Sequence, residues 1–303
     1  MATIYTQVAS NNRKTWVLVT AIFVLIIGLG FVFSQAYNAP GILVFAVILS
    51  LALNGIGYWY SDKIALAASG AEPVTKEEQP QLYRVVENLA ITAGLPTPKI
   101  YVIQSQALNA FATGRDKEHA SVAVTSGLLQ VMDKDELEGV IAHELSHVGN
   151  RDILVSSLVV VLVGVISILA DFFLRISFFG GGRRDDRGNG GQIAIIFGMI
   201  GAILAPIAAT LIQLAISRRR ESLADASGAL LTRYPEGLAR ALEKIERSQA
   251  PLRTASSATA HLYIANPFKA DVGDEKKTPF LVRIFSTHPP IEERIKALRG
   301  MDL

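Results

Sequence analysis

The sequence predicts a mainly α-helical α+β membrane protein, with two transmembrane helical hairpins and one water-soluble domain that contains a small β-sheet. Composition is the first reason: half of the 303 residues are hydrophobic and only 18% are charged. Globular domains carry roughly 25% charged residues, so this chain lacks the polar groups that would cover a soluble protein of its length. The second reason is a set of long runs without any charged residue, which indicate where the membrane segments lie.

The first hairpin is predicted within residues 1–61. No Asp, Glu, Lys or Arg occurs from Thr15 to Ser61, and this stretch contains two apolar runs, Trp16–Phe33 and Gly41–Trp59. Each run has about the 20 residues that a spanning helix needs. A cleaved signal peptide is the competing interpretation of the first run. It is disfavoured because the run exceeds the ~7–15 residues of a signal core and a second apolar run follows directly.

A second apolar hairpin is predicted within residues 153–217, from the runs Ile153–Ala170 and Ile193–Ile216. The sequence leaves open whether it crosses the bilayer or is only embedded in it. Asp171, at the end of the third run, is interpreted as a charge at the membrane boundary rather than a functional intramembrane acid. Because a hairpin enters and leaves the membrane on one face, residues 62–152 and 218–303 are expected to form one domain in space.

Lysine and arginine positions orient these hairpins, because positive residues collect on the cytoplasmic side. Arg13 and Lys14 precede the first run and Arg218–Arg220 follow the fourth, so both termini are placed in the cytoplasm. The loop of the second hairpin argues the other way, since it contains three arginines, Arg183, Arg184 and Arg187. The formal net charge of +2 gives no indication of nucleic-acid binding.

The soluble part is predicted to contain helices on either side of a small sheet. A capping-box pattern at Thr75–Glu78, followed by Pro80 and apolar residues at helical spacing, predicts a helix that ends at Gly94. A second capping box at Asp133–Glu136 begins another helix. Three strands are predicted between the two helices, at Lys99–Gln104, Leu108–Thr113 and Ser121–Thr125.

The second of these helices contains His143, Glu144 and His147. Positions i and i+4 of a helix share a face, so both imidazoles can reach one metal ion while Glu144 acts as a base for bound water. A helix that holds these residues by chance is the competing interpretation. Zinc is the metal expected for such a site, and the absence of cysteine excludes Cys-ligated zinc, iron–sulfur clusters and disulfides.

A catalytic zinc site needs a third protein ligand. A third histidine six residues after His147 is absent, since Asn150 and Ile153 stand where that pattern requires Gly and His. Glu221 and Asp225 follow the second hairpin and again stand at i and i+4. One carboxylate can bind the metal while the other accepts a hydrogen bond from a ligand histidine. An ordinary charged first turn of a helix is the competing interpretation.

Together these motifs are HELSH at His143–His147 and ESLAD at Glu221–Asp225, with further matches at Asn109–Gly114, Val122–Leu129 and Phe285–Pro290. In this order they resemble the HtpX-type membrane zinc metalloproteases of peptidase family M48. The resemblance covers nearly the whole chain. It implies a bacterial inner-membrane endopeptidase whose gluzincin-like zinc protease domain lies in the cytoplasm.

The resemblance also implies individual roles and partners. It implies that Glu221 binds the single Zn²⁺ together with His143 and His147, and that His288 helps to stabilise the tetrahedral intermediate. An ordinary loop or helix-cap residue is the competing interpretation of His288. The implied substrates are misfolded or damaged membrane proteins and unfolded polypeptides at the lipid bilayer. The implied functional partner is an ATP-dependent membrane protease.

Several residues keep two interpretations. Asn109, Ala110 and Phe111 are candidates for an edge strand to which an extended substrate adds by backbone pairing, and an interior strand is the alternative. His119 and His261 are expected to be surface histidines rather than ligands.

The alternative to a protease is a membrane scaffold or chaperone-like binder with a structural zinc site. A closed structural site would need a fourth ligand, for which His288 and His119 are the candidates. A transporter is disfavoured because the apolar runs contain almost no ionisable groups.

Overall fold

The computed structural model describes residues 4–36, 38–179, 200, 218–248, 250–256, 258–268 and 290–301. Its helices are α1 (Ile4–Ala36), α2 (Gly41–Ala68), α3 (Pro80–Ala93), α4 (Ser126–Val131), α5 (Lys134–Gly149), α6 (Asp152–Phe179), α7 (Arg218–Thr232), α8 (Pro235–Arg247) and α9 (Ile291–Arg299). Short 3₁₀ turns occur at Lys117–His119 and Ala260–Leu262.

Three of these helices are long and apolar enough to cross a membrane, over Thr15–Gln35, Gly41–Ala68 and Asp152–Leu169. They contain the first three apolar runs of the sequence. The fourth run, Ile193–Ile216, lies outside the described residues except for Ile200, and so does the loop that contains the three arginines.

Helix α6 is the most enclosed of the three candidate spans, with more than half of its span buried inside the protein. Its residues Val155, Val159 and Leu162 pack in one cluster with Leu18 and Ile22 of α1. Helix α6 is therefore apolar on all sides because it packs against other helices of the chain as well as facing lipid.

The soluble domain contains a four-stranded sheet of β1 (Ala71–Pro73), β2 (Lys99–Ile103), β3 (Ala110–Gly114) and β4 (Ala120–Thr125), in the order β1-β2-β4-β3. Strands β2 and β4 are parallel, and the other two pairings are antiparallel. This confirms the small sheet predicted from the sequence. Strand β3 lies at the edge, with Phe111 opposite Ala123, yet all five of its residues are buried.

Two capping boxes were predicted, and one prediction is wrong in part. Asp133 caps α5 as expected: its carboxylate accepts a hydrogen bond from the N–H of Glu136, and Glu136 reciprocates. Thr75 and Glu78 also exchange hydrogen bonds, at 2.7 and 3.4 Å, but α3 begins only at Pro80. Proline has no N–H and its φ suits the first helical position, so the helix begins there and the earlier pair closes a turn.

Helix α5 is the centre of the soluble domain, and two glycines let its neighbours approach its backbone. A Cβ at Gly139 would lie 2.6 Å from the backbone nitrogen of Leu238 in α8. A Cβ at Gly228 in α7 would lie 3.0 Å from the backbone nitrogen of His143. The approach at Gly228 brings α7, and with it Glu221, against the histidine-bearing face of α5.

Candidate metal centre

The two histidines of α5 point at one place. His143 and His147 lie one turn apart, and their Nε2 atoms are 3.3 Å from each other. His143 has no exposed surface, so its imidazole is fixed by the surrounding protein. Two neutral imidazoles in this arrangement present two nitrogen lone pairs to a shared position.

Glu221 of α7 completes the cluster. Its Oε2 lies 3.8 Å from Nε2 of His143, and its Oε1 lies 3.7 Å from Nε2 of His147. Zinc binds nitrogen and oxygen at about 2.0–2.2 Å, and a tetrahedral ion at such distances separates its ligand atoms by roughly 3.3–3.6 Å. The three donors therefore fit one small divalent ion with little adjustment.

In the described part of the chain, the cluster of potential ligands consists of these three side chains. The predicted alternative ligand His119 lies elsewhere, in the turn before β4. Its Nδ1 is 2.6 Å from Asp116, its Nε2 is 2.6 Å from Arg115, and it is exposed as predicted. The second alternative ligand, His288, lies outside the described residues. A set of three ligands leaves a position for water or substrate, as catalytic zinc sites require.

Each histidine also contacts a carboxylate through its other ring nitrogen, Nδ1. Nδ1 of His143 lies 2.9 Å from Oδ1 of Asp225, and Nδ1 of His147 lies 3.2 Å from Oδ2 of Asp152. A proton on each Nδ1 leaves each Nε2 with a lone pair for a metal. Asp225 thus stands where the sequence predicts a hydrogen-bond acceptor for a ligand histidine, whereas Asp152 was not predicted.

Arg294 of α9 is a second residue that the sequence analysis missed. Its guanidinium donates to both oxygens of Asp225, at 2.8 and 2.7 Å, and to the carbonyl of Ile264 at 3.0 Å. Burial raises the pKa of Asp225, but the charge and hydrogen bonds of Arg294 outweigh it and hold that pKa at about 2. Asp225 is therefore ionised and can anchor His143 throughout the physiological range.

The pKa of His147 is shifted in the opposite direction from that of Asp225. Burial lowers the pKa of its imidazole, but the hydrogen bond to Asp152 and the charge of Glu221 together raise it to about 9. In the absence of a metal, the imidazole of His147 therefore carries an additional proton at neutral pH. A metal must displace that proton, so its binding is coupled to proton release.

Glu144 is buried beside the two histidines, at 2% exposure. Burial raises the pKa of its carboxyl group, while the nearby histidines and a hydrogen bond from the backbone N–H of Ala112 partly oppose this rise. The carboxylate lines a cavity of about 30 Å³ together with Ala112, His147 and Glu221. A water molecule needs about 10–15 Å³, so this cavity can hold one next to the carboxylate.

A model of peptidase family M48 matches residues 76–302, which is most of the chain and includes every residue of this cluster. The chain belongs to peptidase family M48. Among its relatives, a protein named Protease HtpX homolog from Thermoanaerobacter pseudethanolicus is 46% identical over an alignment of 306 positions that covers 99% of each chain. A Protease HtpX homolog from Syntrophobacter fumaroxidans is 48% identical over an alignment of 295 positions that covers 96% of this chain and 99% of the relative.

The crystal structure of S. mikatae Ste24p is also similar, with a TM-score of 0.47 and 21% identity over 97% of this chain and 67% of that one. Family membership and the apolar helices make the protein a membrane-bound metalloprotease, which favours the protease prediction over the scaffold alternative.

In this protease the prediction of a surface position for His261 is wrong. The residue is buried, its Nε2 donates to the carbonyl of Ser156 at 2.9 Å, and its ring lines the same cavity as Glu144. The cause is the turn Ala260–Leu262, which packs against α6 and carries the histidine inwards. Its apolar neighbours Leu262 and Tyr263 are the sequence signal that could have indicated burial.

The predicted substrate strand is covered over its first residues. The side chain of Asn109 donates to the carbonyl of Ala265 at 3.0 Å, and the carbonyl of Ala110 accepts from the N–H of Ile264 at 3.0 Å. Phe111 packs edge-on against Tyr263, with ring centroids 5.3 Å apart. The chain itself thus occupies this part of the edge, and Ala112 is the β3 residue whose backbone reaches the Glu144 carboxylate.

Proposed function

We propose that the protein is a zinc-dependent endopeptidase of the bacterial inner membrane, with its site and both termini in the cytoplasm. The convergence of His143, His147 and Glu221 next to a buried Glu144 is the observation that supports hydrolysis most directly. Two histidines and one glutamate are the ligand set of known catalytic zinc hydrolases, and this donor chemistry supports zinc over harder ions.

Zinc bound by these three residues would supply Lewis-acid polarisation of the scissile carbonyl and a lowered pKa for the attacking water. Glu144 accepts the proton of that water, because its carboxylate borders the cavity and its pKa is raised above its ordinary value. Glu144 then donates the proton to the leaving amide nitrogen. Asp225 and Asp152 keep the histidines in the tautomer that this chemistry needs.

The nature of the substrates is inferred from the place of the site. His147 contacts Asp152, the first residue of α6, and this helix leads into the third candidate span, so the cluster is connected directly to the membrane-spanning part of the chain. Only an unfolded or locally extended segment can enter a cavity enclosed by α5, α6 and α7. We therefore propose misfolded or damaged membrane proteins as substrates, in a quality-control role beside an ATP-dependent membrane protease and without nucleic acid.

Reconstitution into liposomes tests this proposal. The substrates are two versions of one membrane protein, the native form and a variant destabilised by a single core substitution. We expect zinc-dependent cleavage of the destabilised version only, with no cleavage after chelation. Equal cleavage of both versions would contradict the quality-control role, and cleavage that survives removal of zinc would contradict the metal dependence.

A further inference from the structure

A second cavity, of about 450 Å³, lies away from the metal centre and between the end of α2 and the turn that joins β3 to β4. We call it the interfacial cavity, and it is lined principally by Trp59, Tyr60, Lys63, Lys99, Arg115 and Glu118. Its volume falls within the roughly 300–1,000 Å³ of typical ligand sites. None of its residues belongs to the metal centre, so it needs a separate explanation.

The height of this cavity relative to the membrane follows from α2. The apolar part of the helix, Gly41–Trp59, spans about 28 Å at the usual rise of an α-helix, close to the ~30 Å of a bilayer core. Trp59 and Tyr60 stand at its end and are 56% and 50% exposed, and Asp62 and Lys63 follow at once. Aromatic rings followed by charges mark the lipid–water interface. The cavity therefore opens at the level of the phospholipid headgroups.

The charges around the cavity favour an anion. Three cations line it, Lys63, Lys99 and Arg115, against two carboxylates, Asp62 and Glu118. The lining thus has one unbalanced positive charge, and the adjacent Asp116 and Lys117, which contact Arg115 and Glu118, cancel each other in this balance.

The cations differ in how they are held. Arg115 stacks over the ring of Trp59 at 4.7 Å and contacts Asp116 at 3.4 Å, so the protein fixes its position. Lys63 lies 5.1 Å from the ring of Tyr60, and it is exposed like Lys99. In the part of the chain that the structure describes, neither ammonium forms an ion pair with a carboxylate. Two exposed ammonium groups beside a fixed guanidinium are well suited to a phosphodiester.

We propose that the interfacial cavity binds the headgroup of an anionic phospholipid, with its phosphodiester between Lys63, Lys99 and Arg115. The single unbalanced charge of the lining favours a headgroup of net charge −1, such as that of phosphatidylglycerol, over a zwitterionic one. A lipid bound here fixes the end of α2 against the sheet that carries β3. The orientation of the protease domain on the membrane surface is then set by a specific lipid as well as by its helices.

Lipid retention by the full-length protein tests this proposal. Detergent-solubilised protein is equilibrated with an equimolar mixture of phosphatidylglycerol and phosphatidylcholine, and the lipids bound per chain are counted by native mass spectrometry. We expect preferential retention of one phosphatidylglycerol. The double variant Lys63→Gln/Lys99→Gln should lower its affinity by about tenfold or more. Both lysines are exposed, so the variant should fold normally.

The matched control is Lys76→Gln/Lys134→Gln, which also removes two positive charges, but from exposed lysines outside the cavity, and should change the affinity less than twofold. An equal loss of lipid affinity in both double variants would mean that general surface charge explains the binding, and this result would overturn the proposal. Retention without preference between the two lipids would overturn it too. Displacement of the lipid by inorganic phosphate at the same concentration would show a site for soluble phosphate instead of a headgroup.

Discussion

Arg294 and Asp225, which are 69 residues apart in the sequence, form a buried bidentate ion pair behind the metal centre. Asp225 in turn holds Nδ1 of His143, so the pair links α9 and α7 to the ligand-bearing face of α5. Both partners are almost fully buried, and such a pair is costly to break because the remaining charge has no compensation. The position of His143 therefore depends on a residue from the far end of the chain.

Substitution of Arg294 should weaken metal binding. We expect Arg294→Gln to lower zinc affinity by about 10–100-fold, because Asp225 is no longer held against His143, and Arg294→Lys to restore part of the loss. A zinc competition titration against a chelating dye measures this. Arg299→Gln is the control on the same helix, since Arg299 pairs with Glu236 and Glu243 at the surface. Equal zinc affinity in Arg294→Gln and the wild type would refute the positioning role.

The surface ion pair of Arg299 predicts a pH effect on stability. Hydrogen bonds from Arg299 lower the pKa of Glu236 below its ordinary value. A depressed folded-state pKa gives stability that is complete above the unfolded pKa and lost as the pH falls through the folded one. We therefore expect Arg299→Gln to lower the melting temperature of the protein at pH 7 and to have a smaller effect near pH 3. A difference that is the same at both pH values would contradict this explanation.

Gly139 should not tolerate a side chain. Its missing Cβ would collide with the backbone of α8, so Gly139→Ala should destabilise the protein by about 1–3 kcal/mol, as overpacking does. Gly149→Ala lies on the same helix, with no atom within 4 Å of the added Cβ, and should be neutral or slightly stabilising. Thermal unfolding of the two metal-free variants compares them directly. A melting temperature for Gly139→Ala equal to that of Gly149→Ala would mean that α8 does not pack as described.

Metal removal should destabilise the soluble domain. Glu221 faces two histidines across a gap of 3.7–3.8 Å, so an ion bound there would tie α7 to α5. Zinc at about 100 times its Kd should stabilise the folded chain by about 2.7 kcal/mol. The measurement is the melting temperature with and without zinc after chelation. Glu221→Gln, which loses the carboxylate ligand, should respond much less, and an equal response in that variant would contradict the assignment of Glu221.

The sequence contains strong local signals for part of this site. The capping box at Asp133 and the helical spacing of His143 and His147 are local, so the helix and its two imidazoles could be predicted from adjacent residues. Glu221 could be predicted because the two apolar runs between α5 and α7 predict a hairpin that returns the chain to the same membrane face. The sequence also indicated three strands of the small sheet, with ends that differ by one or two residues, whereas β1 was not predicted.

The residues that support the ligands could not be predicted in the same way. Tertiary packing determines the partners of Arg294 and Asp152. The residues next to a single charged residue in a helix do not indicate which partner it will contact. A weak signal exists for Arg294, because it lies on the same face of α9 as the buried residues Ile295 and Leu298. A charge on an apolar helix face indicates a buried ion pair, and this pattern could have identified it.

The role of Glu144 as the proton acceptor is tested most directly by comparing the wild type with Glu144→Gln on an unfolded protein substrate. Both proteins are purified in chelator and then given equal zinc. We expect both proteins to bind zinc, the wild type to cleave the substrate, and Glu144→Gln to cleave it at least about 10²-fold more slowly, while His143→Ala should lose both zinc binding and cleavage. Cleavage by zinc-loaded Glu144→Gln at the wild-type rate would contradict the assignment of Glu144 as the proton acceptor and, with it, the proposed mechanism.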